Sequence, residues 1–166
     1  MSLAADFCDW LVQTRPSLVV QSVGWIIPTV QSIHILGVAV VMASVVMVAL
    51  RLVGLTGRDQ PIAAVARRFI PWIWSAVAVL LVTGGVLIVA EPRRDLLNAV
   101  FQTKMALLVG AALITAIIQA AVSRNMSAWG ASAKKGARPA ILAVVSLGLW
   151  TAILVCGRWI AYVNHG

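Results

Sequence analysis

The chain has 166 residues, of which 61% are hydrophobic and only 11% charged, with a mean hydropathy of +0.98. A water-facing shell takes about 25% charged residues, so an ordinary soluble domain is excluded. The net charge of +8 is concentrated in two short loops between apolar runs, which speaks for membrane topology and against nucleic acid as a partner.

From the N-terminus, residues 3–22 interleave Leu3, Phe7, Trp10, Leu11 and Leu18 with Asp6, Asp9, Gln13 and Arg15. Phe7, Trp10 and Leu11 share one helical face, which predicts an amphipathic helix in the membrane interface, ending near Pro16. Asp6 and Asp9 precede the first basic residue, Arg15, an order unlike that of a cleavable signal. Trp25 and Pro28 open a first apolar span over residues 27–50. A second covers 69–90, introduced by Arg67, Arg68, Trp72 and Trp74. A third covers 99–122, and a fourth, after Pro139, covers 140–163 with Trp159 and Tyr162 near its end. Each run is long enough to cross a hydrocarbon core of about 30 Å.

Short connections make neighbouring spans antiparallel. The expected fold is therefore all-α: a polytopic four-helix up-and-down membrane bundle with an N-terminal interfacial helix, residues 1–166 forming one transmembrane domain. Small residues suited to close helix contact are present at Gly84, Gly85, Ala112, Ala116 and Ala120. Cys8 and Cys156 have neither metal-ligand spacing nor the pattern of a disulfide framework. Ser123 to Ala137 reads as a polar loop.

Arg51, Arg58, Arg67 and Arg68 lie between the first two spans, and Arg124, Lys134, Lys135 and Arg138 between the last two. The positive-inside rule makes both loops cytoplasmic. The N-terminus, residues 91–98 and the C-terminus then lie outside, in the periplasm for a bacterial inner membrane. On that orientation His34 is about 10 Å deep in the outer half of span one, at about 1.5 Å per residue. Lys104 and Arg158 are about 8 Å inside the outer ends of spans three and four. Glu91, Arg93, Arg94 and Asp95 occupy the loop above them, and the inner halves of the spans carry no ionisable group.

Helical phase groups Lys104, Ala111, Thr115 and Gln119 on span three, and Thr151, Arg158, Tyr162 and His165 on span four. Gln31, His34, Gly37 and Ser44 form a broader stripe on span one. Charge facing lipid is costly, so these faces are expected to turn inward and meet around His34. Plainer readings stand beside that one. Lys104 and Arg158 are close enough to the interface to snorkel, the 91–98 charges suit a solvated loop with Glu91 pairing Lys104 or Arg93, and His165 is next to the last residue. An imidazole at the depth of His34 cannot snorkel. It is either a core histidine hydrogen-bonded to Gln31 or a backbone carbonyl, or a ligand or proton-handling group whose tautomer Gln31 could fix. Met42, Met47 and Met105 supply soft ligands for copper beside His34, although they differ in depth and phase. Paired intramembrane carboxylates and a phosphate-cradling glycine loop are absent from the sequence.

The stretches WIIPTVQSIHILGVAVVMASVVMVALRLVGL and WIWSAVAVLLVTGGVLIVAEPRRDLLNAVFQTKMALLVGAAL resemble an uncharacterised family of small bacterial four-helix membrane proteins. The matching features are Pro28, His34, Gly37, Arg51, Gly54, Thr83, Gly84, Pro92, Phe101 and Lys104. Members commonly carry an acid before the arginine-leucine pair that follows span one, where this chain has Ala49 and Leu50. More distantly, a histidine in span one with a lysine early in span three resembles haem-containing, protoporphyrinogen-oxidase-like membrane proteins and copper-resistance-type membrane proteins. That resemblance implies His34 as a haem b or metal ligand and Lys104 as a functional cation nearby.

The expected function is a haem b- or quinone-linked electron-transfer subunit with its site near the periplasmic face. His34, Gln31 and His165 are its candidate ligand-side residues, and Lys104, Arg158, Arg93 and Arg94 the candidate partners of propionates. One alternative is a non-catalytic assembly or anchor subunit that meets other membrane or periplasmic subunits, or its own copies. Another is a small transporter or metal-permeation protein, which fits less well with inner halves lacking ionisable groups.

Overall fold

The computed structural model describes residues 3–56, 60–96, 98–124 and 137–163, with side chains at 3–5, 94, 95, 137, 138 and 160–163 left aside. Within these residues the ordered elements are all helical. They are α1 (Leu3–Val12), α2 (Arg15–Ser22), α3 (Ile26–Val53), α4 (Ile62–Ala90), α5 (Pro92–Leu96), α6 (Ala99–Arg124) and α7 (Ala137–Val163). Four of them, α3, α4, α6 and α7, are long and apolar enough to cross a membrane.

The long helices exceed their apolar windows, because polar first and last turns remain helical in the headgroup region. α4 begins at Ile62, after Pro61, so Arg67 and Arg68 lie on exposed helical turns rather than in the preceding loop. Pro71 falls inside α4, and Ser75 donates to its carbonyl at 2.9 Å. Pro28 sits in the first turn of α3, where its missing N–H has no helical acceptor to lose. At the other end of α3, Gly54 takes the left-handed φ of 82°, and the Leu55 N–H reaches back to the Leu50 carbonyl at 2.9 Å. Only glycine adopts that backbone at little cost. The Arg51 guanidinium then donates to the Gln60 carbonyl and draws the two ends of the α3–α4 connection together. Asn98 caps α6, its side-chain oxygen accepting the Val100 N–H at 2.8 Å.

The N-terminal segment departs from the single interfacial helix expected over 3–22. It breaks at Gln13–Thr14, and Pro16 starts α2 instead of ending α1. Proline is tolerated in a first turn and not in a helix interior, so the break precedes it. Both short helices are also fastened to the bundle. Ser17 donates to the Val89 carbonyl at 2.8 Å, and the Gln21 amide donates to the Ala90 carbonyl at 2.9 Å, which satisfies acceptors that the end of α4 would otherwise leave open. Cys8 is fully buried with its thiol 3.7 Å from the Pro92 carbonyl, and Asp9 forms a two-pronged ion pair with Arg93. The opposite face exposes Phe7, Trp10 and Leu18, with the Phe7 and Trp10 rings 5.8 Å apart.

α3 packs broadly on α4, α6 on α7, and α7 on α3, while α4 meets α6 less closely. The helices thus follow chain order around a ring, as an up-and-down bundle requires. At the end holding Gly54 the core is apolar, built from Val48, Leu52, Ile62, Ile70, Ile118 and Val122. Mid-bundle, Val41, Val45, Ile73, Ala111 and Trp150 continue it. Outside, Ile35, Leu36, Val82, Leu113 and Val144 are exposed, the arrangement of helices whose outer solvent is lipid.

Candidate functional site

Above these apolar clusters, toward the end that carries α5, the interior turns polar. His34 lies eight residues into α3, and Thr83 lies seven residues before the end of antiparallel α4. At about 1.5 Å per residue both stand about 10–12 Å below that end. Lys104 on α6 and Gly157 on α7 lie about 8–9 Å from the corresponding ends of their helices. One layer therefore draws on all four long helices.

The imidazole is half-buried, and its Nδ1 lies 2.7 Å from the Thr83 hydroxyl, itself buried on α4. Thr83 donates its one proton to the Val79 carbonyl one turn back, also at 2.7 Å. With that proton committed, the hydroxyl can only accept from His34, so Nδ1 carries the hydrogen and the neutral ring has its lone pair on Nε2. Tautomer and ring orientation are thus set by a side chain on the neighbouring helix.

Two glycines shape the surroundings. A β-carbon added at Gly37 would come within 3.0 Å of the Leu80 side chain, so α3 and α4 approach closely one turn below the histidine. At Gly84 an added β-carbon would rest 3.6 Å from the imidazole Cε1, which places the ring beside the α4 backbone. Lys104 is half-buried, with its ammonium 3.6 Å from where a Gly157 β-carbon would be, and it acts electrostatically on His34. The layer offers one oriented imidazole lone pair with one cation close by.

The other expected participants are distributed differently. Gln31 is exposed, and the ring is held by Thr83 in its place. Arg93 pairs with Asp9 at the surface, and the hydrogen bonds and charge of that carboxylate raise the guanidinium above its ordinary pKa. Arg158 and Thr151 are exposed, and Thr151 lines an open apolar groove along α7 with Gly148, Ala152 and Cys156. The inward face of α7 is instead that of Ser146, Trp150 and Ile153. Ala111 and Thr115 are buried as their phase predicts, whereas Gln119 is exposed and accepts the Trp74 indole N–H at 2.9 Å. His165 and the side chain of Arg94 lie outside the described residues.

Among the described residues no three His, Cys, Asp or Glu side chains converge as a metal site. Of the methionines considered with His34, Met42 packs against the apolar mid-bundle core and Met47 is 40% exposed on the outer surface. Thr83, the residue that orients His34, was not among the sequence-derived site residues. Its signal was a hydroxyl seven residues before the end of a span, opposite a histidine eight residues into its antiparallel neighbour.

The model of DUF6644, a family of unknown function, matches residues 7–163. No curated protein and no solved structure matches the chain. The chain belongs to the DUF6644 family, as the resemblance across its first three spans implied.

Proposed function

Because membership of DUF6644 brings no activity with it, we propose from the site alone that the chain is a small redox subunit of a bacterial inner membrane. The carrying observation is the relay from the His34 Nδ1 through the Thr83 hydroxyl to the Val79 carbonyl. A hydrogen-bonding partner that fixes one nitrogen and leaves the lone pair on the other is how proteins prepare an imidazole to act as a ligand. Among the described residues no three His, Cys, Asp or Glu side chains gather to hold a bare ion. Haem b supplies four ligand nitrogens and its own redox couple, so it asks of the protein one oriented imidazole, a dry setting and charge for its propionates. His34 provides the first, the apolar clusters below it the second, and Lys104 a nearby cation. The same pair suits a quinone head group, with Nε2 accepting and Lys104 donating a hydrogen bond.

Both basic loops are taken as cytoplasmic, so the His34 layer faces the periplasmic half. Cysteine labelling should find residues 60–66 protected from impermeant reagents added outside, and positions 91–96 reactive. The reverse pattern would invert the orientation. The deciding measurement for the cofactor is an absorption spectrum of protein purified from haem-replete cells. Wild type should show a Soret band, which His34→Ala and His34→Gln should both lose while remaining inserted. A colourless, well-folded wild type that also fails to bind a quinone analogue would sink the redox reading.

An anchor or assembly subunit is the second reading. It is favoured by the aromatic shelf of Phe7, Trp10 and Trp25, exposed beside the docked N-terminal helices. A permeation path is a poorer account, because two apolar clusters fill the bundle below the histidine.

A further inference from the structure

Gly84 and Gly85 stand on α4 at nearly the depth of His34, about 8–9 Å below the Ala90 end of the helix. The imidazole reaches across to them. Its Nδ1 is held at Thr83, and its Cε1 is 3.6 Å from where a Gly84 β-carbon would be. Nε2 is bonded to Cε1, so the lone pair lies on the Gly84 side of the ring.

Gly85 borders α6. It shares one helical stripe with Trp74, Ala78 and Leu81, and the Trp74 indole reaches the Gln119 side chain of α6. Of the neighbouring long helices, α4 and α6 meet least closely. No described atom of α6 comes within 4 Å of a β-carbon placed at Gly84 or Gly85. The seam is therefore bridged at Trp74–Gln119 and open at the two glycines, where only α4 backbone screens the imidazole. Leu81 and Val82, 58% and 69% exposed, make the adjoining surface apolar, so the opening gives onto lipid.

We infer that this opening is a lateral entrance through which the His34 layer takes a flat, lipid-soluble ligand from the bilayer. Such an entrance presupposes the redox reading of that layer. Haem b and a quinone share the required chemistry, a planar ring that partitions into lipid and carries polar groups to meet Lys104. The test is the rate at which protein in nanodiscs, prepared without haem, takes up two probes. Hemin is followed by its Soret band, and a short-chain quinone analogue by exchange broadening of the His34 ring resonance. Gly85→Leu fills the opening from a position where its β-carbon has room. It should slow uptake about tenfold, with Tm unchanged. Slowed hemin uptake marks haem as the ligand, and slowed uptake of the analogue marks a quinone. Gly148→Leu, an equal change at an exposed glycine of α7, should leave both rates alone. If the leucine variant folds poorly, Gly85→Cys in a Cys156→Ala chain, closed after folding by a bulky maleimide, carries the same expectation, because Cys8 is buried. Uptake as fast in Gly85→Leu as in wild type, or equal slowing by Gly148→Leu, overturns the entrance and leaves the redox reading standing. A wild type that takes up neither probe overturns both.

Discussion

The two ends of the bundle are built on different rules. Around Ile62, at the Gly54 end, the four long helices meet through side chains with no polar atoms, and Val48, Leu52, Ile118, Val122 and Ala143 contribute packing alone. Around His34 the same helices meet through a hydrogen-bonded pair, a lysine and two glycines. In a membrane, apolar surface is no better off inside the protein than in lipid, so packing and hydrogen bonding hold helices together. The apolar end relies on fit. The His34 end relies on direction.

On that contrast, truncation at the apolar end should be the most damaging change. Ile62, 2% exposed, should cost about 2–3 kcal/mol as Ile62→Ala, the part of such a loss that comes from the cavity left behind. Thermal unfolding in a fixed detergent would measure it, and pigment or ligand bound per folded molecule should stay the same. A variant that loses ligand in proportion to stability would erase the distinction between the two ends.

Thr83→Val keeps the shape and removes the hydroxyl, leaving the imidazole N–H without its partner. Its cost should be smaller, about 1–3 kcal/mol. The signature should be specific to the site, with a shifted His34 ring resonance in histidine-labelled spectra and weakened ligand binding. Thr83→Ser should restore both. Equal behaviour of the valine and serine variants would show that shape, not the hydroxyl, holds the ring.

The docking of α1 and α2 should be weaker still. Replacing Ser17 and Gln21 by alanine removes the donors to the Val89 and Ala90 carbonyls. A loss of about 1 kcal/mol is expected, with faster hydrogen exchange over residues 3–22 and none over α6. Exchange that rises evenly along the chain would mean the cap is not a separable unit.

The smallest effect belongs to the exposed Asp9–Arg93 pair, whose side chains are 39% and 60% exposed. Arg93→Gln should barely move Tm, and any change should vanish in about 1 M salt, where the Debye length is about 3 Å. Because Asp9 raises the Arg93 pKa, the arginine's contribution is fully present below its ordinary pKa and fades only in strong alkali. Tm should therefore show no loss from this residue between neutrality and moderately basic pH.

The spans and their antiparallel order were legible in the chain because each rests on local terms. A run of apolar residues decides whether a segment enters a membrane, and neighbouring charge decides which way it faces. The depth of His34 and Lys104 was legible for the same reason, since depth is a count of residues along a helix of known rise. Phase was a weaker guide. It placed Ala111 and Thr115 inward correctly, yet it turned Thr151 and Arg158 inward although the packed face of α7 is that of Ser146, Trp150 and Ile153. A helix with apolar residues all around carries little periodic signal, because the lipid face and the core face are both hydrocarbon. The partner of His34 was out of reach for a related reason. Gln31 is its neighbour along α3, but Thr83 is 49 residues away and meets it only through the crossing of α3 with α4 at Gly37. Sequence determines which residues lie at one depth; the rotation of each packed helix about its own axis decides which of them touch.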